Sequence, residues 1–253
     1  ADGALVGLVP KENLATGDVQ YENRWFSGWV HGHVEEHRTP AGTLVPMGTL
    51  VFDAAGIGRF AVEVCEDGWK GIRPGSVAAL AGAHIVANPS ASWFVLGKHR
   101  VRRAMVEQIS REDNTVYLYT SLLGCDATRL VFDGSVFVAQ DGRILEEGDR
   151  FVLSEEMVFV DRIVDLAGLE RVRLEEGSWR QQVQGLQRGD HGPQPRVVRI
   201  PGSFGTDAPA PAEGAYWLDG TDERTPDPSL LWLAEAGLIP RAPTERDLPH
   251  LEL

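Results

Sequence analysis

Cys65 is the residue whose type and position best fit catalysis in this chain. It follows the apolar residues of a predicted strand and precedes two acids and a glycine, in the sequence AVEVCEDGW of residues 61–69. A cysteine at the end of a buried strand is often inert, and neighbouring carboxylates oppose formation of a thiolate. The mouth of a strand before a tight turn is also where α/β enzymes expose nucleophiles. Both interpretations stay open, and a nucleophilic Cys65 needs help from elsewhere in the chain.

One lysine could give that help, and a second lies in a stretch that could bind a substrate. Lys11, in PKEN, is of a type normally found at the surface, but near a cysteine its ammonium would favour the thiolate and stabilise an oxyanion. Lys98 ends the sequence NPSASWFVLGK of residues 88–98, which combines hydroxyls with the start of a predicted helix. Such residues can simply cap the helix, or they can form a loop that binds an anionic group such as a carboxylate. Phosphate-loop spacing is absent, so nucleotide binding within this chain is not expected.

Other candidates are weaker. Cys125, in LLGCDATRL, has no obvious base nearby in the sequence and is interpreted as a packed or loop thiol. His31, His33 and His37, in HGHVEEH, could suggest a metal site, but no further cysteine or histidine motif completes the ligands that such a site needs. An exposed loop is the preferred interpretation, and no metal is expected.

The elements that must position these residues indicate an α/β layered domain. Residues 1–10 fit a buried strand, and residues 11–47 are predicted to be irregular. Residues 101, 105, 106 and 109 are predicted to form the apolar face of one long helix. The strands are predicted at 49–56, 58–65, 84–90, 115–123, 129–140 and 144–148, with helices at 75–83 and 97–114.

Composition excludes several function classes. The 253 residues carry 24 basic and 37 acidic side chains, for a formal net charge of −13, which argues against nucleic acid or an anionic membrane as a partner. No apolar run approaches the roughly 18 residues of a membrane span. Two cysteines do not make a disulfide framework, so a soluble, reduced, cytoplasmic protein is expected.

The character of the chain changes after residue 187. The following residues are rich in Gly and Pro, which is typical of a linker or tail. We therefore predict a domain over residues 1–187 and a linker or tail over residues 188–253. Residues 227–238, DPSLLWLAEAGL, could form one helix.

Four stretches together resemble the nitrilase, or carbon–nitrogen hydrolase, superfamily. They are KENLATGDVQYENRWFSGW, EVCEDGW, NPSASWFVLGKHRVRR and LGCDATRLVFDGSVFVAQDGRI, in this order within residues 5–180. The chain is most similar to the glutamine amidotransferase domain of glutamine-dependent NAD synthetases, in their eukaryotic-like branch. The resemblance implies a nitrilase-like αββα sandwich and a Glu–Lys–Cys triad.

The resemblance also implies roles for the residues around the thiol. Cys65 matches the nucleophile and Lys11 the triad lysine, 54 positions earlier. Glu22, in YENRWF, matches a glutamate that supports the lysine and the substrate pocket. The backbone N–H of Glu66 would join Lys11 in stabilising the oxyanion.

Further matches concern the substrate. Ser92 and Lys98 match positions that grip the α-amino acid end of glutamine, and Trp69 and Phe94 would shape that pocket. The implied reaction is hydrolysis of glutamine through a cysteine thioester. The ammonia would pass to a synthetase domain that uses ATP and Mg and amidates deamido-NAD to NAD. The implied partners are glutamine, the protein's own synthetase domain and further copies of the chain, with no cofactor in this chain.

The sequence departs from the family pattern in three places. The triad glutamate, the general base, lies upstream of the lysine in the family, and none of the ten residues before Lys11 is a glutamate. The N-terminal portion of the sandwich and the synthetase domain are expected to be missing, so this chain alone is expected to be inactive. Gly17 stands where many bacterial relatives have an aromatic residue.

Two other functions stay open at this point. The chain could be another carbon–nitrogen hydrolase, such as an amidase or carbamoylase, although the extended region VDLAGLERVRLEEGSWRQQV after residue 163 argues against a minimal stand-alone amidase. It could also be a catalytically silent interaction module.

Overall fold

The computed structural model describes residues 4–17, 19–127, 129–152 and 157–200. Its strands are β1 (Thr16–Gly17), β2 (Gln20–Tyr21), β3 (Val34–Arg38), β4 (Leu44–Gly48), β5 (Leu50–Ala54), β6 (Gly58–Val62), β7 (Ile85–Ser90), β8 (Val116–Ser121), β9 (Leu123–Cys125), β10 (Val131–Asp133), β11 (Val136–Gln140), β12 (Arg143–Glu147) and β13 (Arg196–Ile200). Its helices are α1 (Pro74–Leu80), α2 (Lys98–Glu112), α3 (Leu166–Glu175) and α4 (Gly177–Arg188). Turns of 3₁₀ helix cover Glu22–Arg24 and Cys65–Trp69.

Seven strands form one mixed sheet in the order β12-β11-β8-β7-β6-β5-β13. The central strands β6, β7 and β8 run parallel, so their carboxyl ends meet at one edge of the sheet. Strands β5 and β11 flank them in the antiparallel sense. The other strands of the described ranges pair as the ribbons β1-β2, β3-β4 and β9-β10. In α/β sheets, the carboxyl edge of parallel strands is where ligands usually bind.

Helices α1 and α2 cover one face of this sheet. Because side chains alternate along a strand, every second residue of β7, β8 and β11 meets α2, while those of β5 and β6 meet α1. Small alanines on α1 allow it to approach the sheet closely. The buried residues of this face are Val51, Ala61, Ala78, Ala83, Val86, Val106, Ile109, Tyr117, Tyr119, Phe137 and Ala139.

The opposite face packs against α3. Leu169 of this helix is buried with Val116 and Val138 of the sheet. Farther along the same face, Phe52 and Phe60 stack with their ring centroids 5.2 Å apart. The chain thus buries apolar side chains on both faces, which confirms the predicted α/β class.

The long helix α2 differs from its prediction in one important respect. Met105, Val106 and Ile109 pack inward as expected. The prediction that Val101 lies on the same face is wrong, because this residue is 53% exposed. Arg102 points into the protein instead and is fully buried. Arg102 forms an ion pair with Asp133 at 2.7 Å, and this pair, not an apolar contact, determines which face this end of the helix buries.

Most central elements are confirmed, whereas the prediction for the N-terminal third is wrong in two places. Residues 11–47, predicted as irregular, contain nearly all of the antiparallel ribbon β3-β4. The described part of residues 1–10 forms no strand, but a single bridge joins Leu8 to Met47 of this ribbon. In the ribbon, the polar sequence VEEHR of β3 and the proline within β4 depart from the apolar alternation that marks a half-buried strand.

The C-terminal region adds a strand that the sequence did not indicate. β13 pairs in parallel with β5 at the edge of the main sheet, from Arg196 opposite Leu50 to Ile200 opposite Ala54. It lies within the range predicted as linker or tail, and the boundary near residue 187 stays a prediction. The helix predicted at 227–238 lies outside the described residues.

Candidate functional site

Cys65 lies at the carboxyl edge of the parallel strands, just after β6. It opens a 3₁₀ turn with a backbone φ of 51°, in the left-handed region that residues other than glycine rarely adopt. Its side chain is only 8% exposed. Strain of this kind persists only where the surroundings enforce it, and it is concentrated at functional sites. The backbone geometry therefore favours a functional thiol over a merely packed one.

A cleft of about 200 Å³ opens beside this thiol. It brings together five of the residues predicted from the sequence and two that the sequence analysis missed, Gln20 and Trp93. No pattern marked Gln20, whereas Trp93 lies within the NPSASWF stretch and could have been included with its neighbours. The residues that line the cleft are Gln20, Cys65, Glu66, Trp69, Ser92, Trp93 and Lys98.

Lys98 supplies a positive charge to this cleft. Its Nζ lies 3.6 Å from the ring centroid of Trp93 and 6.0 Å from that of Trp69, so both indoles hold the ammonium by cation–π contact. Burial, followed by the charge of Arg102, lowers the pKa of Lys98, while Cys65 and Glu66 act in the opposite direction. An ammonium held in this way can attract the carboxylate of a small substrate.

Lys11 and Glu22 form a second cluster, in a neighbouring groove of about 700 Å³. Lys11 Nζ donates to Glu22 Oε1 at 2.7 Å and to Oε2 at 2.5 Å. Glu22 Oε2 also accepts the backbone N–H of Ala15 at 2.7 Å. The structure thus joins Lys11 to its predicted supporting glutamate. It does not place Lys11 among the described residues that line the Cys65 cleft.

Asp67 connects these two clusters and is a residue that the sequence analysis missed. Its fully buried carboxylate accepts the backbone N–H of Asn13 at 2.7 Å and the Asn13 side-chain amide at 2.9 Å. It also accepts the backbone N–H of Val64 at 3.0 Å. Asp67 therefore ties the loop that carries Lys11 to the turn that carries Cys65. The acid two positions after the cysteine was the available signal for this role.

Ser92 and Phe94 are held mainly by neighbours within the protein. Ser92 lines the cleft, but its hydroxyl accepts Arg102 Nε at 3.3 Å and its carbonyl accepts Arg102 at 2.9 Å. Phe94 packs edge-on against Phe151 with the ring centroids 5.0 Å apart, and it is not among the residues that line the cleft. A direct role of Phe94 in shaping the pocket stays a prediction.

Gly68 is required for the packing behind Cys65. A Cβ atom at this position would lie 2.6 Å from Asn88 Nδ2 and 2.9 Å from the Tyr117 hydroxyl. We expect Gly68→Ala to lower the free energy of unfolding by about 1–3 kcal/mol, because overpacking shifts these buried groups. Gly71→Ala is the matched control, since nothing lies within 4 Å of its added Cβ. Urea unfolding of both variants measures the effect, and equal stability of the two would contradict it.

The remaining candidates lie away from the cleft. Cys125 ends β9 and is exposed. His31 Nδ1 lies 2.6 Å from Glu12 Oε2, and His33 Nε2 lies 3.5 Å from Glu35. His37 belongs to β3 and not to a loop.

Two general findings apply to the described ranges. No group of three or more His, Cys, Asp or Glu side chains within them has the geometry to hold a metal ion. No helix within the same residues is both long enough and apolar enough to cross a membrane.

The curated proteins similar to this chain that are described here carry the same name, although no protein-family model matches the chain. Glutamine-dependent NAD(+) synthetase from Homo sapiens is 30% identical over 201 residues, which cover 75% of this chain and 27% of that protein. The protein of the same name from Mycobacterium bovis is 33% identical over 177 residues, or 68% of this chain and 26% of that protein. The chain thus spans about a quarter of the length of these curated relatives.

Solved structures agree with these relatives. A glutamine-dependent NAD(+) synthetase from Cytophaga hutchinsonii has a TM-score of 0.51 and 32% identity, covering 57% of this chain and 23% of that one. A carbon–nitrogen hydrolase from Helicobacter pylori G27 also has a TM-score of 0.51, with 20% identity, covering 68% of this chain and 56% of that one. The second likeness concerns the fold alone.

Proposed function

We propose, on the premise that this chain belongs to the nitrilase, or carbon–nitrogen hydrolase, superfamily, that it hydrolyses glutamine as part of a glutamine-dependent NAD synthetase. The nitrilase-like fold agrees with this premise, and the relatives described above carry the name glutamine-dependent NAD(+) synthetase. The observation that carries the proposal is the position of Cys65. A thiol with a left-handed backbone faces a cleft that also holds an ammonium, at the carboxyl edge of parallel strands.

The reaction that fits this arrangement is amide hydrolysis through a covalent intermediate. The sulfur of Cys65 attacks the carboxamide carbon of glutamine, and the carbonyl oxygen becomes an oxyanion. Lys11 and the backbone N–H of Glu66 are proposed to stabilise that oxyanion. The C–N bond then breaks, and the nitrogen leaves as ammonia after gaining a proton. Water hydrolyses the glutamyl thioester, which releases glutamate and returns the thiol.

The cleft suggests how the substrate is oriented. The α-carboxylate of glutamine is proposed to bind Lys98, whose ammonium Trp93 and Trp69 hold in place. Ser92, which also lines the cleft, is proposed to contribute its hydroxyl to the same end of the substrate. These contacts would direct the side-chain amide of glutamine towards Cys65.

The wider biological role follows from the relatives' names and is proposed with the same function. Ammonia from this domain would amidate deamido-NAD in the synthetase domain of a longer protein, which would bind ATP and Mg. Glutamine, that domain and further copies of the chain are the proposed partners. A cytoplasmic location stays a prediction from the cysteine content.

Selective labelling of the two cysteines tests the proposal. We expect a chloromethyl ketone analogue of glutamine to alkylate the buried Cys65 about 10²-fold faster than the exposed Cys125, because binding in the cleft makes the reaction effectively unimolecular. Peptide mapping by mass spectrometry identifies the labelled residue. Excess glutamine should protect Cys65 and leave the labelling of Cys125 unchanged.

The controls separate recognition from simple reactivity. Cys65→Ala should remove the fast labelling, whereas Cys125→Ala should keep it. Iodoacetamide, which has no glutamine side chain, should prefer the exposed thiol. Faster labelling of Cys125 by the glutamine analogue, or protection by an unrelated amide as strong as that by glutamine, would refute the proposed function.

A further inference from the structure

Glu63 is a buried acid that the proposed reaction does not use. It lies two residues before Cys65, and its side chain is fully shielded from solvent. One carboxylate oxygen, Oε2, accepts the backbone N–H of Gly75 at 3.0 Å. The other, Oε1, accepts the hydroxyl of Tyr117 at 2.5 Å. An ionisable group placed here, with both oxygens used, calls for a reason beyond apolar packing.

A series of polar contacts leads from Glu63 to the backbone of Cys65. The Asn88 side chain lies beside the Tyr117 hydroxyl, since both border Gly68, and Asn88 acts to lower the pKa of the phenol, as expected when its amide N–H points to the phenol oxygen. Asn88 Nδ2 also donates to the carbonyl of Cys65 at 3.3 Å, and its Oδ1 accepts the hydroxyl of Ser90 at 2.7 Å. These bonds define one orientation of the amide. These groups thus form a continuous polar path from Glu63 through Tyr117 and Asn88 to the strained backbone of Cys65.

Which of these groups donates and which accepts a hydrogen bond depends on the charge of Glu63. An ionised carboxylate only accepts, so Tyr117 donates to it and is free to accept from Asn88. A proton on Glu63 would lie on Oε1, because Oε2 faces the N–H of Gly75. Glu63 would then donate to Tyr117, whose own hydrogen would need an acceptor. Asn88 can provide one only by turning its amide over, which would withdraw Nδ2 from the carbonyl of Cys65.

We propose that Glu63, Tyr117 and Asn88 form a positioning relay, which holds the backbone of Cys65 in its reactive geometry while Tyr117 donates to Glu63. The relay rests on the proposed function, since it acts through the nucleophile. Glu63 is a positioning residue in this arrangement, because it touches neither the substrate nor the thiol.

The surroundings bring the titration of Glu63 into the neutral range. Burial raises its pKa to about 7, while the hydrogen bond from Tyr117 and the charge of Arg73 act to lower it. Asp113 acts in the same direction as burial, and it is partly neutralised by its own 2.8 Å ion pair with Arg73. The relay should therefore be formed above about pH 7 and disturbed below it.

The test compares rates of Cys65 alkylation by the chloromethyl ketone analogue of glutamine from pH 5.5 to 8.5. Glu63→Gln presents an N–H to Tyr117 at every pH and so mimics the protonated acid. We expect the maximal rate of wild type divided by that of Glu63→Gln to be near one at pH 5.5. It should rise to about tenfold at pH 8.5, as expected for one hydrogen bond. The half-saturating reagent concentration should not change, because the cleft residues are untouched.

The ratio distinguishes the relay from other roles, because ionisation of the thiol itself largely cancels between the two proteins. A constant ratio would mean that Glu63 is merely structural and would overturn the relay. A ratio that falls below one as the pH rises would also overturn it, because the charge of Glu63 would then only oppose the thiolate. Tyr117→Phe supplies an independent variant that keeps the ring, and it should match Glu63→Gln in its pH dependence. If the wild type does not label selectively at Cys65, the proposed function itself fails.

Discussion

Replacing Arg102 by methionine is expected to lower the free energy of unfolding by about 3–5 kcal/mol, since it breaks a buried ion pair and leaves the Asp133 carboxylate with only the longer, 3.3 Å contact to Arg150 as an ionic partner. Arg102 and Asp133 have no exposed side-chain surface, and one guanidinium nitrogen donates to both Asp133 oxygens at 2.7 Å. The loss should affect the cleft as well. Arg102 also donates to the carbonyls of Ser92 and Trp93, both at 2.9 Å, so it supports the loop that carries two of the residues lining the cleft.

Arg103→Met is the matched control for this prediction. Arg103 is the next residue of the same helix, and its 42%-exposed side chain pairs with Glu107 and Glu147. Surface pairs of this kind contribute about 0–1 kcal/mol. Urea unfolding compares the two variants, and Asp133→Asn offers a milder change if Arg102→Met does not fold. Equal loss of stability in Arg102→Met and Arg103→Met would contradict the role of the buried pair.

The same ion pair should make the free energy of unfolding depend on pH. Burial opposes ionisation of Asp133, but the hydrogen bonds and charge of Arg102 outweigh it and hold the pKa of Asp133 below its ordinary value. A carboxyl whose pKa is lower in the folded state contributes stability above the unfolded pKa and loses it as the pH falls through the folded pKa. The advantage of the wild type over Arg102→Met should therefore shrink in acid, below about pH 4.

A second large effect is expected in glutamine hydrolysis. The resemblance assigns the general base to a glutamate upstream of Lys11, and residues 1–10 contain none. We expect this 253-residue chain alone to release ammonia about 10²–10⁴ times more slowly than a protein that includes such a glutamate, which is the usual contribution of general acid–base catalysis. An ammonia-coupled assay of both proteins measures the difference, with Cys65→Ala as the background.

Glu22 is the alternative candidate for the general base, because its carboxylate contacts Lys11 in this structure. Robust turnover by this chain, abolished by Cys65→Ala and by Glu22→Gln, would mean that Glu22 acts as the base. That result would contradict the expectation that the base lies upstream of Lys11. Slow turnover in this chain, restored by the upstream glutamate, would support it and leave Glu22 in a supporting role.

The central sheet could be predicted from local patterns because its strands are short and apolar and the helix α2 is amphipathic. The strand before Cys65 and the long helix α2 are both where periodicity indicates them. The ribbon β3-β4 and the edge strand β13 could not be predicted in the same way. β3 is polar and mostly exposed, β4 contains a proline, and β13 is a half-exposed edge strand, so strand pairing and not local sequence determines their conformation.

For the candidate site, the sequence by itself determined which residue types could do the chemistry. Cys65, Lys98 and their neighbours were chosen from motif order alone, and the structure brings them to one cleft. The left-handed backbone at Cys65, the bridge through Asp67 and the buried Arg102 were decided only by the tertiary structure. The contacts of Asp67 with the Lys11 loop and of Arg102 with Asp133 join residues 31 to 55 positions apart, so no local pattern can encode them. The left-handed backbone at Cys65 likewise depends on the surroundings that enforce it.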